Sequence, residues 1–192
     1  MKSTFNNIIK LCLSISLISS FFIQKTVHAD EISLFSDKAI SILADSGEVI
    51  YSKNANKVDF PASTTKIMTA MVMMDHLKEN DKIQMTKRSI QEEKSNSQIL
   101  FSQGEVLDRN TALKTMMILS ANDLAYAIGE RVGGNMDNFV KMMNEKAKKI
   151  GANHTNFMNP NGLHNVNHYT TAYDLALITK EALKYPLIIK AM

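Results

Sequence analysis

Two short runs, Phe60-Pro61-Ala62-Ser63-Thr64-Thr65-Lys66-Ile67-Met68-Thr69-Ala70 and Ser120-Ala121-Asn122-Asp123, hold the side chains best placed to do chemistry. Pro61 suits the first turn of a helix, and Ile67, Ala70, Met71 and Met74 recur at helical spacing, so Ser63 is expected at a helix N-terminus. Unpaired backbone N–H groups and the positive end of the helix dipole there favour an attacking alkoxide or the oxyanion that it produces. Lys66 lies three residues on, one turn away on the same face, where its amine can reach the Ser63 hydroxyl. A lysine acts as a base near neutral pH only where burial or neighbouring charge lowers its pKa. Taken alone, Ser-x-x-Lys is also what an N-cap serine followed by a surface lysine looks like. In the second run a hydroxyl and a carboxamide stand two residues apart at a break between helices. They can point into a common cleft, or Ser120 can simply cap the next helix.

The elements that must position these groups read as follows. Ala39-Ile40-Ser41-Ile42-Leu43 and Glu48-Val49-Ile50-Tyr51 flank the turn Asp45-Ser46-Gly47 and predict a hairpin. A loop over 53–60 leads into the Ser63 helix, which should end near Lys78. Ile83 and Met85 alternate in a polar stretch, a polar loop covers 91–98, and 99–101 and 104–107 look like short extended pieces. Three helices then follow. The first has an apolar face of Leu113, Met116, Met117 and Ile118 and ends at Ser120. The second runs to Gly133-Gly134, and the third carries the stripe Phe139, Met142, Met143 and Ala147 and stops at Gly151. The methionines read as core filler. An Asn- and His-rich loop over 152–169 precedes a last helix, Ala172 to Lys184, with Thr171 and Asp174 as its capping pair and Pro186 as its stop.

The 192 residues suit one domain with a real core, behind an N-terminal segment of another kind. Lys2 and Lys10 precede an uncharged, largely apolar run from Leu11 to Ile23, followed by Val27-His28-Ala29, the pattern of a secretory signal removed after Ala29. Thirteen residues are too few to span a bilayer comfortably, which argues against a retained anchor. Residues 1–29 hold three of the 22 basic residues and none of the 19 acidic ones, so the remainder is balanced in charge. The basic isoelectric point therefore gives no reason to expect a nucleic-acid or anionic-lipid partner. The single cysteine, Cys12, lies in the same segment, so residues 30–192 hold no disulfide and no thiol nucleophile.

In this order and spacing the two motifs resemble the penicillin-recognising serine acyl-transferases, which carry Ser-x-x-Lys, Ser-x-Asn and Lys-Thr-Gly. Within that group the sequence is most similar to the D-alanyl-D-alanine carboxypeptidases of low molecular mass. Lys53-Asn54-Ala55-Asn56, Asn159-Pro160-Asn161-Gly162-Leu163 and His168-Tyr169-Thr170-Thr171-Ala172 extend the likeness over nearly all of residues 36–187. The resemblance implies an α+β, serine β-lactamase/transpeptidase-like fold, a helical cluster packed on an antiparallel sheet of which this chain supplies only the N-terminal hairpin. It also implies roles. Ser63 is the nucleophile on the peptide bond between two terminal D-alanines, and Lys66 is its base. Ser120 relays a proton to the departing D-alanine, and Asn122 holds Lys66 and the substrate carbonyl. The implied partners are peptidoglycan stem peptides, with β-lactams as covalent inhibitors; no metal or organic cofactor is implied, and the location is the cell envelope or outside the cell. The family segment beside the cleft corresponds to Ser95–Ser97, which lacks the glycine usual there and is given no role.

The family's Lys-Thr-Gly strand lies about a hundred residues beyond Ser-x-Asn, whereas the sequence ends 70 residues after Asn122. The expectation is therefore a family member truncated before that strand, loosely folded and inactive alone, with any C-terminal membrane anchor also missing. Three other readings compete. A class A β-lactamase needs a deacylating glutamate after its second motif, and no Asp or Glu occurs from Lys146 to Tyr173. A non-catalytic envelope protein that binds wall peptide or β-lactam would be acylated or occupied without turnover. A metal site of His154, His164 and His168 lacks a nearby carboxylate or thiol and a helical frame, so loop and hydrogen-bonding roles suit those histidines better.

Overall fold

Short strands flank a helical core whose centre is the helix that follows Ser63. The computed structural model describes residues 33–91, 99 and 101–192. The segment expected over 1–29 and the loop residues 92–98, with Ser95–Ser97 among them, lie outside the described residues. Residues 36–192 form one unit of the chain.

The hairpin is present as read. Strand β1 (Ala39–Ile42) pairs antiparallel with β2 (Val49–Lys53), with a bulge at Ser41/Ile42. Two further antiparallel pairs are present, one of them between segments that the sequence marks as extended. β3 (Val58–Asp59) pairs with β6 (Thr170–Thr171), and β4 (Lys82–Gln84) pairs with β5 (Val106–Asp108). The expected α+β arrangement of helices with an N-terminal hairpin is thus present, and among the described residues two more two-stranded sheets stand beside the helices. The alternation at Ile83 and Met85 and the extended piece at 104–107 mark β4 and β5 in the sequence without showing that they pair, and β3 and β6 are set by contacts made across more than a hundred residues.

Helix α1 (Thr65–His76) is the hub. It packs against α3 (Arg109–Leu119), α4 (Asn122–Gly133), α5 (Met136–Ile150), α6 (Ala172–Ala182) and α7 (Pro186–Ala191). The predicted one-sided stripe is too narrow, because Met68, Val72 and Met73 are buried together with Ala70 and Met71. A helix apolar on nearly every side belongs in the middle of a core rather than on its surface. A short helix, α2 (Lys87–Gln91), stands where the alternating stretch was expected to run into loop. It is started by reciprocal bonds of Thr86 and Ser89, Thr86 N donating to Ser89 Oγ at 3.0 Å and Ser89 N to Thr86 Oγ1 at 2.9 Å.

The remaining boundaries follow local chemistry. Asp108 caps α3 through Thr111 N (2.9 Å), and Asn135 caps α5 through Asn138 N (2.8 Å). Thr171 Oγ1 accepts from Asp174 N at 3.0 Å, the capping contact expected for α6. Pro186 ends that run and also begins α7 at its first position, a helix not foreseen. On α3, Leu113 and Met116 are buried as expected, but Ile118 is 66% exposed. At the α4–α5 joint a Cβ on Gly133 would come within 2.7 Å of Phe139 N, so the absence of a side chain there lets α5 fold back against α4.

Phe139, fully buried at that joint, holds α5 to the core. Phe139→Ala is expected to lower the unfolding free energy by about 3–5 kcal/mol, through lost transfer energy and the cavity left behind. Urea titration followed by circular dichroism measures it; a loss below about 1 kcal/mol would mean that this packing is not formed.

Candidate active site

Ser63 occupies a 3-10 turn, Ala62–Thr64, directly before α1. Its side chain is solvent-exposed, whereas Lys66, one turn further, is only 2% exposed. The surface-lysine reading of the motif therefore fails. Lys66 Nζ lies 3.2 Å from Ser63 Oγ, 2.6 Å from Asn122 Oδ1 and 2.9 Å from the carbonyl oxygen of Asn161. In the neutral amine the two carbonyl oxygens can take both hydrogens, so that the lone pair can face Ser63. Ser120 Oγ donates to Ser63 Oγ at 3.1 Å. All four residues singled out in the sequence therefore meet at one point.

Backbone geometry aims them. Ser120 ends α3 in the left-handed conformation (φ 54°), which turns its hydroxyl towards Ser63. Ala62, just before Ser63, has φ 47°. Only three non-glycine residues among those described have positive φ, and two of them adjoin this point. Such conformations cost of order 1–3 kcal/mol each and persist only where surrounding structure enforces them. Asn122 opens α4 at 4% exposure, and the neighbouring buried Asp123 accepts from Leu124 N (2.8 Å) and Ile99 N (3.1 Å).

The enforcing structure includes the Asn-rich loop, which sequence reading left without a role at the site. The Asn161 carbonyl takes Lys66, the Pro160 carbonyl accepts from Thr69 Oγ1 at 2.6 Å, and Thr65 Oγ1 bonds His168 Nε2 at 2.9 Å. Asp174 holds the start of the loop by accepting from His154 N and Thr155 Oγ1, both at 2.7 Å. Main-chain acceptors leave no trace in residue types; the only available signal was Asn159-Pro160-Asn161-Gly162 itself. A cleft of about 560 Å³ opens beside Ser63, lined among others by Lys66, Ile67, Met117, Ile118 and Ser120.

The three histidines have separate partners. His168 is buried against Thr65 and Phe157, His164 lies edge-on to Phe60 with ring centroids 4.8 Å apart, and His154 Nδ1 stands 4.0 Å from Asp174. Among the described residues no group of three or more His, Cys, Asp or Glu is placed to hold a metal ion.

A family profile described as D-alanyl-D-alanine carboxypeptidase matches residues 23–191. The D-alanyl-D-alanine carboxypeptidase DacF of Bacillus subtilis (strain 168) is 39% identical over 177 residues, 90% of this chain and 45% of the relative. Among solved structures, the D-alanyl-D-alanine carboxypeptidase DacD of Francisella tularensis superposes with a TM-score of 0.74 at 30% identity, covering 81% of this chain and 38% of that one. A mutant of the Streptomyces K15 DD-transpeptidase gives a TM-score of 0.79 at 26% identity over 84% of this chain and 66% of that one. The chain thus spans about half the length of the DacF relative.

Burial pushes His168 from the usual 6.5 down to about 4. With Met158 N donating to its Nδ1 (3.3 Å), the neutral ring carries its hydrogen on Nε2 and donates to Thr65. A histidine kept neutral in the fold contributes stability that is complete above 6.5 and is lost as pH falls from there towards about 4. Asp59, hydrogen-bonded by Lys38, and Asp108, hydrogen-bonded by Thr111 N, are held below the usual 3.8, so their contributions disappear only at more acid pH. Melting temperature should therefore fall between pH 6.5 and pH 4 in the parent and stay flatter in His168→Gln. Equal slopes in the two proteins would contradict the assignment.

Proposed function

The chain belongs to the D-alanyl-D-alanine carboxypeptidase family, and on that premise we propose that Ser63 is the nucleophile of a serine acyl-transfer site acting on peptides that end in D-Ala-D-Ala. One observation carries the reading: Ser63 Oγ is exposed to a cleft while standing 3.2 Å from a buried lysine amine and 3.1 Å from a second hydroxyl. Lys66 takes the proton from Ser63 Oγ as that oxygen attacks the carbonyl carbon of the penultimate D-alanine. The tetrahedral intermediate then expels the terminal D-alanine, whose nitrogen receives a proton through Ser120. An ester on Ser63 remains, and water cleaves it to regenerate the hydroxyl and release the shortened peptide.

Asn122 has two ends to use. Its Oδ1 fixes Lys66, and its amide nitrogen is the donor assigned to the substrate carbonyl. β-Lactams would acylate Ser63 by the same first step, their amide bond opening instead of a peptide bond. Peptidoglycan stem peptides lie outside the cytoplasm, so the reading includes export directed by residues 1–29.

Intact-mass spectrometry after incubation with penicillin tests it. In a form of the protein extended through a Lys-Thr-Gly strand, one penicilloyl group is expected on Ser63, with none on Ser63→Ala and a reaction slower by several orders of magnitude in Lys66→Ala. An unmodified parent of that form, or a modified Ser63→Ala, would refute the proposal.

A further inference from the structure

The turn Asn159-Pro160-Asn161-Gly162 supplies no side chain to the chemistry described above, yet at Gly162 it leaves no room for a Cβ against the backbone beside Ser63. Gly162 has φ 90°, and a Cβ built on it would occupy the space of the Ala62 carbonyl group. Ala62 is itself the strained residue before Ser63. On the other side of Gly162, the Asn161 carbonyl receives Lys66 Nζ. One bare backbone position thus touches the residue that orients the nucleophile and adjoins the acceptor that orients the amine.

The turn is built to hold that position. Asn159 Oδ1 accepts from Gly162 N at 2.7 Å and from Asn161 N at 3.3 Å, while Asn159 Nδ2 donates to Leu163 O at 2.8 Å. Thr69, fully buried, donates to the Pro160 carbonyl. Resting on the function proposed above, we infer that Gly162 is a positioning residue, which sets the separation of Ser63 and Lys66 by letting the 159–162 turn seat directly on the Ala62 peptide. A side chain there must lift the turn, and with it the Asn161 carbonyl moves off Lys66.

Gly151 provides the control. It also has positive φ (92°), but a Cβ on it would meet nothing nearer than Leu177 Cδ1 at 4.0 Å, so alanine there suffers conformational strain without a close approach. Three variants of the form extended through a Lys-Thr-Gly strand are compared: Gly162→Ala, Gly151→Ala and Asn159→Ala, the last loosening the turn without adding bulk. Two readouts are taken on protein that retains its far-ultraviolet circular dichroism. The first is the rate of penicillin acylation, separated from the non-covalent dissociation constant. The second is the rate of Lys66 acetylation by acetic anhydride, resolved by peptide mass spectrometry, which needs no catalytic activity.

Gly162→Ala is expected to lower the acylation rate constant at least a hundredfold with little change in the dissociation constant, and to raise Lys66 acetylation at least tenfold. Asn159→Ala should move both readouts in the same direction by less, and Gly151→Ala should leave both within about twofold. Should the parent not react with penicillin, the functional proposal falls while Lys66 acetylation still decides this one. Unchanged Lys66 acetylation in Gly162→Ala, or in Asn159→Ala should Gly162→Ala not fold, overturns the inference; so does an equal effect from Gly151→Ala.

Discussion

A lysine amine buried to 2% exposure between an asparagine side chain and a main-chain carbonyl is the constraint on which this structure turns. An amine taken out of water must have its hydrogens accepted, since an unsatisfied buried polar group costs about 1–3 kcal/mol and a charged one more. Lys66 meets that requirement with oxygens from two distant parts of the chain, Asn122 at the start of α4 and Asn161 in the 159–162 turn, beside the turn that carries Ser63. Each part is then fixed relative to the others. Removing the amine would in turn leave the Asn122 and Asn161 oxygens without this donor, so site and fold share the same bonds.

The scaffold spends stability on geometry at two places and recovers it elsewhere. Left-handed Ala62 and Ser120 are unfavourable, and they flank the Ser63 hydroxyl. They are held by a core that surrounds α1 almost completely, in which Met68, Met71 and Met73 are fully buried. The Thr65–His168 and Thr69–Pro160 bonds lie on the first turns of the same helix. Rigid placement of reacting groups can supply a large part of a catalytic barrier reduction, and a static contact network of this kind is what provides it.

Much of this was legible in the residues. Pro61 and the Ser-x-x-Lys spacing located a helix start with a hydroxyl and an amine on one face, and Ser120-Ala121-Asn122 located the break that answers it. Helix limits at Gly133-Gly134 and Gly151 followed from glycine chemistry, and Thr171 with Asp174 marked a helix start. What stayed hidden was non-local or carried by the main chain. The β3–β6 pair joins residues 58–59 to 170–171 with two residues a side, too few for a pattern. The Asn161 carbonyl looks the same in every residue type. Ile118 was grouped with the apolar face of α3, but it stands about 140° round the helix from Leu113, outside the face that Leu113 and Met116 bury, and is exposed at the cleft.

The proposed chemistry rests on Ser63 Oγ being an oxygen nucleophile poised by Lys66. Boron NMR of the form extended through a Lys-Thr-Gly strand, with a peptide boronic acid whose D-alanine-like carbon bears the boron, tests it most directly. A conversion of trigonal to tetrahedral boron that is stoichiometric with protein, absent in Ser63→Ala and strongly weakened in Lys66→Ala, is the predicted result. A boron that stays trigonal in the parent, or becomes tetrahedral equally well in Ser63→Ala, would mean that Ser63 Oγ is not that nucleophile.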